Sequence, residues 1–481
     1  MPRRTTALAA ALSLLPLGQP LLAGSFGITT ATTAVVLHQR AAIAQDASAV
    51  ARIAKAITVR IEGSTQGSGV IVRKEGNRYM VLTAWHVVSG NRPGEEVGIY
   101  TPDGKQHQLD QGSIQRLGQV DMAVLTFSSP GAYEVASVGD VKKVKHDQPI
   151  YVAGFPLNNS QNLRYESGEV VANAEVGIDQ GYQLLYDNKT DSGMSGGVLL
   201  NADGQLVGLH GRGEKDEQSS RGELVMKTGV NQGVPITYYN LFASGSPVVI
   251  AQTTATTSDD YLALAQASIK KKGRQQTVIR LASQALSIRP SAMGYFYRAY
   301  AKDDLKDYQG VIVDLGKAIA INPQHAISYN NRGLAKRKSK DYQGAIADHS
   351  KAIAISPQRA SAYNNRGLAK RKSKDYQGAI ADYSKAIEIN PKHAIAYNNR
   401  GVAKRKSKDY QGAIADFTKA LEINPKYSKA YNNRGTAKSD LNNKSGACID
   451  YKKAVSLGNQ GTMQWLNTKG GTWCRNMRYL F

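Results

Sequence analysis

The feature that most constrains this chain is a repeat. The block Arg332-Gly333-Leu334-Ala335-Lys336-Arg337-Lys338-Ser339-Lys340-Asp341-Tyr342-Gln343-Gly344-Ala345-Ile346-Ala347-Asp348 returns at 366–382, and again, with Val402 in place of leucine, at 400–416. The period is 34 residues, and each unit closes on a proline: Pro323, Pro357, Pro391 and Pro425. A unit that reads helix, turn, helix cannot bury its apolar face alone. Stacked copies bury it against one another, so this half of the chain must be an open array. The small residues Gly333, Ala345 and Ala352 fall where two helices approach closely. Tyr329 and the ring at His349, Tyr383 or Phe417 are expected to pack between units. Units 326–359, 360–393 and 394–427 are near-identical, 292–325 and 428–461 diverge, and 258–291 is weakest. The reading is about six helix pairs over 258–461, best defined over 292–461, with 462–481 as a capping segment. Atypical terminal units are what a stacked array needs.

This pattern resembles the tetratricopeptide repeat and implies an all-α solenoid. The array is also where the charge sits. Residues 251–481 hold 40 Lys/Arg against 16 Asp/Glu, whereas 45–250 hold 18 against 22. The runs at 336–340, 370–374 and 404–408 end each first helix, and stacking is expected to align them into a positive ridge. Asn330, Asn331 and Arg337, with their copies, are expected on the groove, where such repeats bind extended peptides. Two uses stay open: capture of an acidic protein segment or anionic surface, or a solvated face that keeps the array soluble.

From Ile57 to Ile236 the signal is mostly strand. Apolar runs at Ile57–Glu62, Gly69–Arg73, Tyr79–Val87, Val120–Phe127, Pro149–Gly154, Leu163–Val171, Tyr182–Tyr186, Gly197–Leu200 and Gln205–His210 alternate with Gly/Asn/Asp turns. Glu75-Gly76-Asn77 reads as a hairpin turn. Many short strands suggest an all-β barrel or sandwich over 45–245. The Ser/Thr/Ala/Gln-rich stretch at 246–257 reads as a linker.

The N-terminus reads as an export signal over 1–44: Arg3 and Arg4, an apolar stretch from Ala7 to Leu22, and Ala42-Ile43-Ala44 before Gln45. A retained anchor is the alternative, although Pro16, Gly18 and Pro20 interrupt the apolar run short of the ~18 residues a span needs. No later segment could span a bilayer, so the mature chain is expected in periplasm, thylakoid lumen or medium. That expectation, not the charge, argues against nucleic acid as a partner. Cys448 and Cys474, the only cysteines, exclude a zinc site of repeated Cys pairs. In an oxidising compartment they are expected to form a disulfide, worth roughly 3.5 kcal/mol by loop closure. No metal or cofactor is called for.

Peptide hydrolysis by a serine needs a hydroxyl nucleophile, a base, an acid group to orient it and backbone N–H donors for the oxyanion. Gly193-Met194-Ser195-Gly196-Gly197 offers the nucleophile on a turn that can aim the N–H groups of Gly193 and Ser195 at one point. Alone it is as well explained by a glycine-rich turn. Thr83-Ala84-Trp85-His86-Val87 sets a histidine after small residues at the end of a strand run, behind Gly67-Ser68-Gly69. An unperturbed imidazole titrates near ~6.5, which suits a base at neutral pH. Asp121, in Val120-Asp121-Met122-Ala123-Val124-Leu125, is a lone acid in an apolar run, where it needs a partner. Asp103, Asp110 and Asp140 lie in polar loops and are worse candidates.

With Gly154-Phe155-Pro156, these motifs make residues 50–245 resemble bacterial trypsin-like, chymotrypsin-fold serine proteases. The whole chain resembles cyanobacterial secreted members that carry C-terminal tetratricopeptide repeats. The resemblance implies a double β-barrel with His86, Asp121 and Ser195 as catalytic triad in the cleft. This domain departs from many members in having no cysteines. Relatives that cut after glutamate carry Thr or Ser five residues before the nucleophile and His fifteen after it, the places of Thr190 and His210. A substrate carboxylate could be held there, or His210 could simply close a strand. Lys189 fits an acidic side chain or plain solvation. The sequence thus supports an exported serine endopeptidase whose repeats recruit a partner; a catalytically silent domain on an interaction scaffold is the alternative.

Overall fold

The first hairpin shows how local chemistry builds the N-terminal half. Gly76 takes the left-handed conformation (φ 58°) in a two-residue turn, so that Glu75 pairs with Arg78 across it. In this computed structural model, residues 47–63, 65–90, 96–159, 161–213, 228–250, 253–269 and 271–477 are described. The segment expected as an export signal lies outside them.

A helix α1 (47–57) leads into β1 (Thr58–Glu62), β2 (Gln66–Glu75), β3 (Arg78–Thr83), a one-turn helix α2 (Trp85–Val88), β4 (Gly98–Tyr100), β5 (Gln106–Arg116) and β6 (Ala123–Ser128). These six antiparallel strands close into a barrel in the order β1-β2-β3-β6-β5-β4. Its interior is apolar and fully buried, with Val59, Ile61, Ile71, Val81, Leu125 and Phe127. Then β7 (Pro149–Gly154), β8 (Arg164–Asn173), β9 (Leu184–Tyr186), β10 (Val198–Leu200), β11 (Leu206–Arg212) and β12 (Asn231–Pro235) close a second barrel, β10-β11-β12-β9-β8-β7. Two six-stranded antiparallel barrels are the chymotrypsin-like architecture.

Three strands lay outside the sequence reading. β4 and β12 are short, and β5 (QHQLDQGSIQR) carries too few apolar residues for alternation to show. The run Tyr79–Val87 is not one strand: β3 stops at Thr83 and the chain turns into α2, so His86 sits on a helical turn.

Helix α3 (Thr237–Ala243) ends the second barrel. The described residues of the stretch read as a linker have no regular secondary structure, but they are not a free tether. Val248 and Ile250 pack on the core, and the Thr253 hydroxyl donates to the Glu175 carbonyl. The array follows as six antiparallel pairs among the described residues: α4 (Ser258–Ile269) with α5 (Gln275–Ile288), α6 (Ala292–Asp304) with α7 (Tyr308–Ile321), α8 (Ala326–Lys338) with α9 (Tyr342–Ile355), α10 (Ala360–Lys372) with α11 (Tyr376–Ile389), α12 (Ala394–Lys406) with α13 (Tyr410–Ile423), and α14 (Ser428–Asp440) with α15 (Lys444–Ser456). The period is written into the caps. Asp307, Asp341, Asp375, Asp409 and Asn443 each accept the N–H three residues on, at the start of every second helix from α7 onward. A cap of this kind is worth about 1 kcal/mol.

The weakest unit, 258–291, is a complete helix pair. Leu262, Ala263, Ala265 and Leu281 join one continuous core with Val170, Val176 and Ile178 of the second barrel. Within the repeats, a Cβ on Gly333 would lie 2.8 Å from the His349 ring, so only glycine admits a ring at that height. The last helices, α16 (Gln460–Leu466) and α17 (Thr472–Arg475), bring Trp465 and Trp473 onto Tyr451. There Cys448 and Cys474 are joined (S–S 2.02 Å).

Candidate active site

Strand register brings the first two candidates together. β3 and β6 are antiparallel with Thr83 opposite Ala123. The residues just beyond Thr83 and just before Ala123 therefore emerge at the same end of the barrel. The α2 turn then carries His86 onto Asp121. Its Nδ1 lies 2.7 Å from Asp121 Oδ2, and its backbone N–H donates to Oδ1 at 2.9 Å. The Tyr182 hydroxyl donates to the same Oδ2. Asp121 is 4% exposed and the His86 side chain 47%, so the acid is sealed behind a ring that faces outward. Burial alone would push the Asp121 carboxyl up. The hydrogen bonds and charge of His86, with the Tyr182 bond, outweigh it and hold the group below the usual carboxylate range.

The third candidate comes from the second barrel, in the turn between β9 and β10. Ser195 is fastened to the first barrel by its own carbonyl, which accepts from Ser68 N–H at 2.8 Å. The Ser68 carbonyl accepts from the Thr83 hydroxyl (2.7 Å), three residues before His86. Gly193 adopts φ 98°, and a Cβ there would lie 2.6 Å from the Leu157 amide. The Ser68 hydroxyl accepts from Phe155 N–H (2.8 Å) and donates to the Gly193 carbonyl (3.3 Å). One buried hydroxyl thus links three separate glycine-containing segments. Sequence reasoning quoted Gly67-Ser68-Gly69 only as a motif; Ser68 is the residue through which it shapes the turn.

With the turn so held, neither the N–H of Gly193 nor that of Ser195 has an acceptor among the described residues. The Ser195 hydroxyl donates to the Gly211 carbonyl at 3.2 Å, and no hydrogen bond joins it to His86 among the described residues.

Thr190 and His210 both border Gly213. Measured from the position of a Cβ on Gly213, Thr190 Oγ1 is 2.8 Å away and His210 Cε1 3.9 Å. Thr190 donates to Asn231 Oδ1 (2.9 Å). His210 is fully buried, and Tyr186 OH sits 2.5 Å from its Nδ1. Burial, with the nearby His86, lowers its pKa to about 3, so the ring is neutral. Burial also raises the Tyr186 phenol, which remains a donor. Lys189 is exposed.

The match to known proteins follows this geometry. Residues 67–209 match the trypsin-like peptidase domain, 360–393 and 394–427 the tetratricopeptide repeat, with further repeat matches at 333–373 and 428–458. The chain is a trypsin-like peptidase domain joined to tetratricopeptide repeats. The peptidase domain is homologous to Do-like HtrA serine proteases. It is 28% identical over 170 residues to the one from Lactobacillus helveticus, covering 34% of this chain and 40% of that protein. It is 30% identical over 154 residues to the one from Bacillus subtilis (strain 168), covering 31% and 33%. The periplasmic pH-dependent serine endoprotease DegQ of Escherichia coli (strain K12) is 29% identical over 147 residues, covering 30% of each chain. The chain thus spans two fifths or less of the length of these relatives. A solved structure titled "Crystal structure of MamA" matches 34% of the chain and 96% of its own at 23% identity, with TM-score 0.32.

In the repeats, the positive ridge is thinner than the charge count. Asp348 takes both Arg332 (2.7 Å) and Lys336 (2.9 Å), and Asp382, Asp416 and Asp450 do the same in their units. Lys338 pairs with Asp303 at one end of the column and Arg405 with Asp440 at the other. Within the three runs Arg337, Lys340, Arg371, Lys372, Lys374, Lys406 and Lys408 have no ion-pair partner among the described residues, and the Nε atoms of both arginines are buried without an acceptor. The asparagines expected on the groove mostly bond one another from unit to unit: Asn365 to Asn330 (2.9 Å), Asn399 to Asn364 (3.0 Å), Asn433 to Asn398 (2.8 Å). Among the described residues no helix is long and apolar enough to cross a membrane, and no cluster of three or more His, Cys, Asp or Glu could hold a metal ion.

Proposed function

We propose that the chain is an exported serine endopeptidase in which Ser195 attacks the peptide carbonyl, His86 takes the hydroxyl proton and Asp121 orients His86. The observation that carries this is the two-point clamp of His86 on Asp121 beside a rigid turn whose Gly193 and Ser195 N–H groups lack acceptors. In the reaction, Ser195 Oγ exchanges the Gly211 carbonyl for the imidazole and bonds to the substrate carbon. The carbonyl oxygen then takes the two free N–H groups as its charge develops. His86 passes the proton to the leaving amine, and water releases the acyl group by the reverse path.

The pocket chemistry favours a carboxylate before the cut. A neutral His210, with its ring proton on Nε2, and a Thr190 hydroxyl that exchanges Asn231 Oδ1 for the ligand would supply donors without a buried positive charge. The uncompensated middle of the repeat column, Arg337 to Lys406, favours an acidic protein segment as partner of the array. Functional boundaries follow the same division: an export signal over 1–44, peptidase over 45–245, a connector at 246–257 and the array over 258–461.

The test is cleavage of peptide libraries by the full chain and by Ser195→Ala. Cleavage after glutamate that is lost in Ser195→Ala supports the whole reading. Cleavage after Arg or Phe removes the pocket assignment alone, and no cleavage of any peptide removes the enzyme. The second reading, a silent domain on a scaffold, draws on the hydrogen bond of Ser195 to Gly211 rather than to His86. It predicts that last outcome.

A further inference from the structure

We propose that Tyr182 is a positioning residue for the His86–Asp121 pair, and that the first repeat helix holds Tyr182 in place. The inference rests on the peptidase reading above.

Asp121 is tied to the first barrel through His86. The loop between β8 and β9 grips it from the other side twice: Tyr182 OH donates to Oδ2, and the Gln180 carbonyl accepts the Asp121 N–H at 2.9 Å. Tyr182 fits because position 211 has no side chain. A Cβ on Gly211 would lie 2.2 Å from Tyr182 Cε1. The guanidinium of Arg212 lies 4.3 Å from the ring centroid and bonds the Gln180 side chain. Burial, then the Asp121 charge, raises the Tyr182 phenol, so it stays a donor across any working pH. The ring therefore stands between Asp121 and the strand whose Gly211 carbonyl holds the Ser195 hydroxyl.

The other end of this loop belongs to the array. In the first turn of α4, Asp260 is buried and accepts four main-chain N–H groups: Glu175 and Val176 (both 2.9 Å) on Oδ1, Thr256 (3.1 Å) and Thr257 (3.0 Å) on Oδ2. Asp259 accepts from Asn173 N–H at 2.9 Å. Gln183 closes the loop on itself by donating to the Ala174 (3.1 Å) and Val176 (3.0 Å) carbonyls. A path of hydrogen bonds, completed by the backbone from Gln183 to Tyr182, thus runs from the first repeat helix to the acid that orients His86. It binds array to barrel and stiffens the site together.

The test is steady-state kinetics and a pH profile of the full chain carrying Tyr182→Phe, which deletes one oxygen. Loss of a hydrogen bond to a charged group is expected to lower kcat about tenfold with KM unchanged. Without that donor the Asp121 carboxylate holds imidazolium more tightly, so the acid limb of the profile moves to higher pH. Besides Tyr182 and Asp121, His210 lies close enough to His86 to feel its charge, Arg212 stacks on the Tyr182 ring and Arg116 on the Trp85 ring beside His86 in sequence, and none of them is altered in this variant. Wild-type kcat with an unmoved profile overturns the proposal.

For the array, Asp260→Asn is expected to lower kcat in the same way and to add less in the Tyr182→Phe background than alone. Independent, multiplying effects, or an Asp260 variant with unchanged kcat, overturn that link. Should Asp260→Asn not fold, Asp260→Glu takes its place with the same expectations. Failure of wild type to react at Ser195 would sink the peptidase reading; a reactive wild type with Tyr182→Phe kinetics unchanged would sink this one.

Discussion

His349→Phe should stabilise the repeat array, and the repeats themselves supply the control. His349 is fully buried and neither ring nitrogen has a partner among the described residues. Its counterparts one and two units on are Tyr383 and Phe417, equally buried. The cradle is the same in all three: a Cβ on the facing glycine would lie 2.8 Å from the ring at Gly333, 2.8 Å at Gly367 and 2.7 Å at Gly401. Phenylalanine therefore fits without repacking. An unsatisfied buried donor or acceptor costs ~1–3 kcal/mol, so removing two should gain about 2 kcal/mol after imperfect packing. For an array of this size that is roughly 4–8 °C in Tm.

The gain should grow in acid. Burial, and next the Arg337 charge, lowers the His349 pKa to about 3, whereas the unfolded chain takes the proton near ~6.5. Stability is full above the unfolded value and falls as pH drops from there toward the folded one. By pH 5 this amounts to about 2 kcal/mol. Thermal melts of both chains at pH 7.5 and pH 5 check this. An unchanged or lower Tm at neutral pH, or a gap that does not widen in acid, refutes the reasoning.

Asp121→Asn should keep the fold and lower kcat/KM by roughly 10³-fold or more, since an amide has one acceptor oxygen and cannot take both the His86 backbone N–H on one side and His86 Nδ1 with Tyr182 OH on the other; a loss under tenfold would count against it. Arg337→Glu with Arg371→Glu should weaken binding of an acidic peptide to the full chain at least tenfold and flatten its salt dependence, read by fluorescence anisotropy. Equal binding would return the column to a solvated face. Reduction of Cys448–Cys474 should lower the stability of the C-terminal helices by about 3.5 kcal/mol. Two thiols titrating in the denatured, unreduced chain would contradict it.

The two halves differed in how far the sequence revealed them. The array was legible in outline, because its interactions are local and repeat every 34 positions: Gly333 and Pro357 announce close approach and unit end, while the caps at Asp341 and its copies came from the structure. In the barrels, apolar β3, β6 and β7 could be read from alternation, while polar β5 could not. The site motifs were visible as short segments around His86, Asp121 and Ser195. What joins them was not. Tyr182, Ser68 and Asp260 act across 61, 87 and 84 positions respectively, through contacts that only the closed barrels create. Which lysines and arginines of the ridge are neutralised was hidden for the same reason. Asp348 and its copies lie sixteen residues on and turn inward to meet Arg332 and Lys336.

The central claim is that an imidazole from the first barrel activates a hydroxyl from the second. Its most direct test is reaction of the full chain with a fluorophosphonate, the adduct mapped by peptide mass spectrometry. We expect one adduct, on Ser195, whose formation falls at least hundredfold in His86→Ala while the melting temperature holds. No adduct on wild type, or one that forms equally fast without His86, would contradict the account.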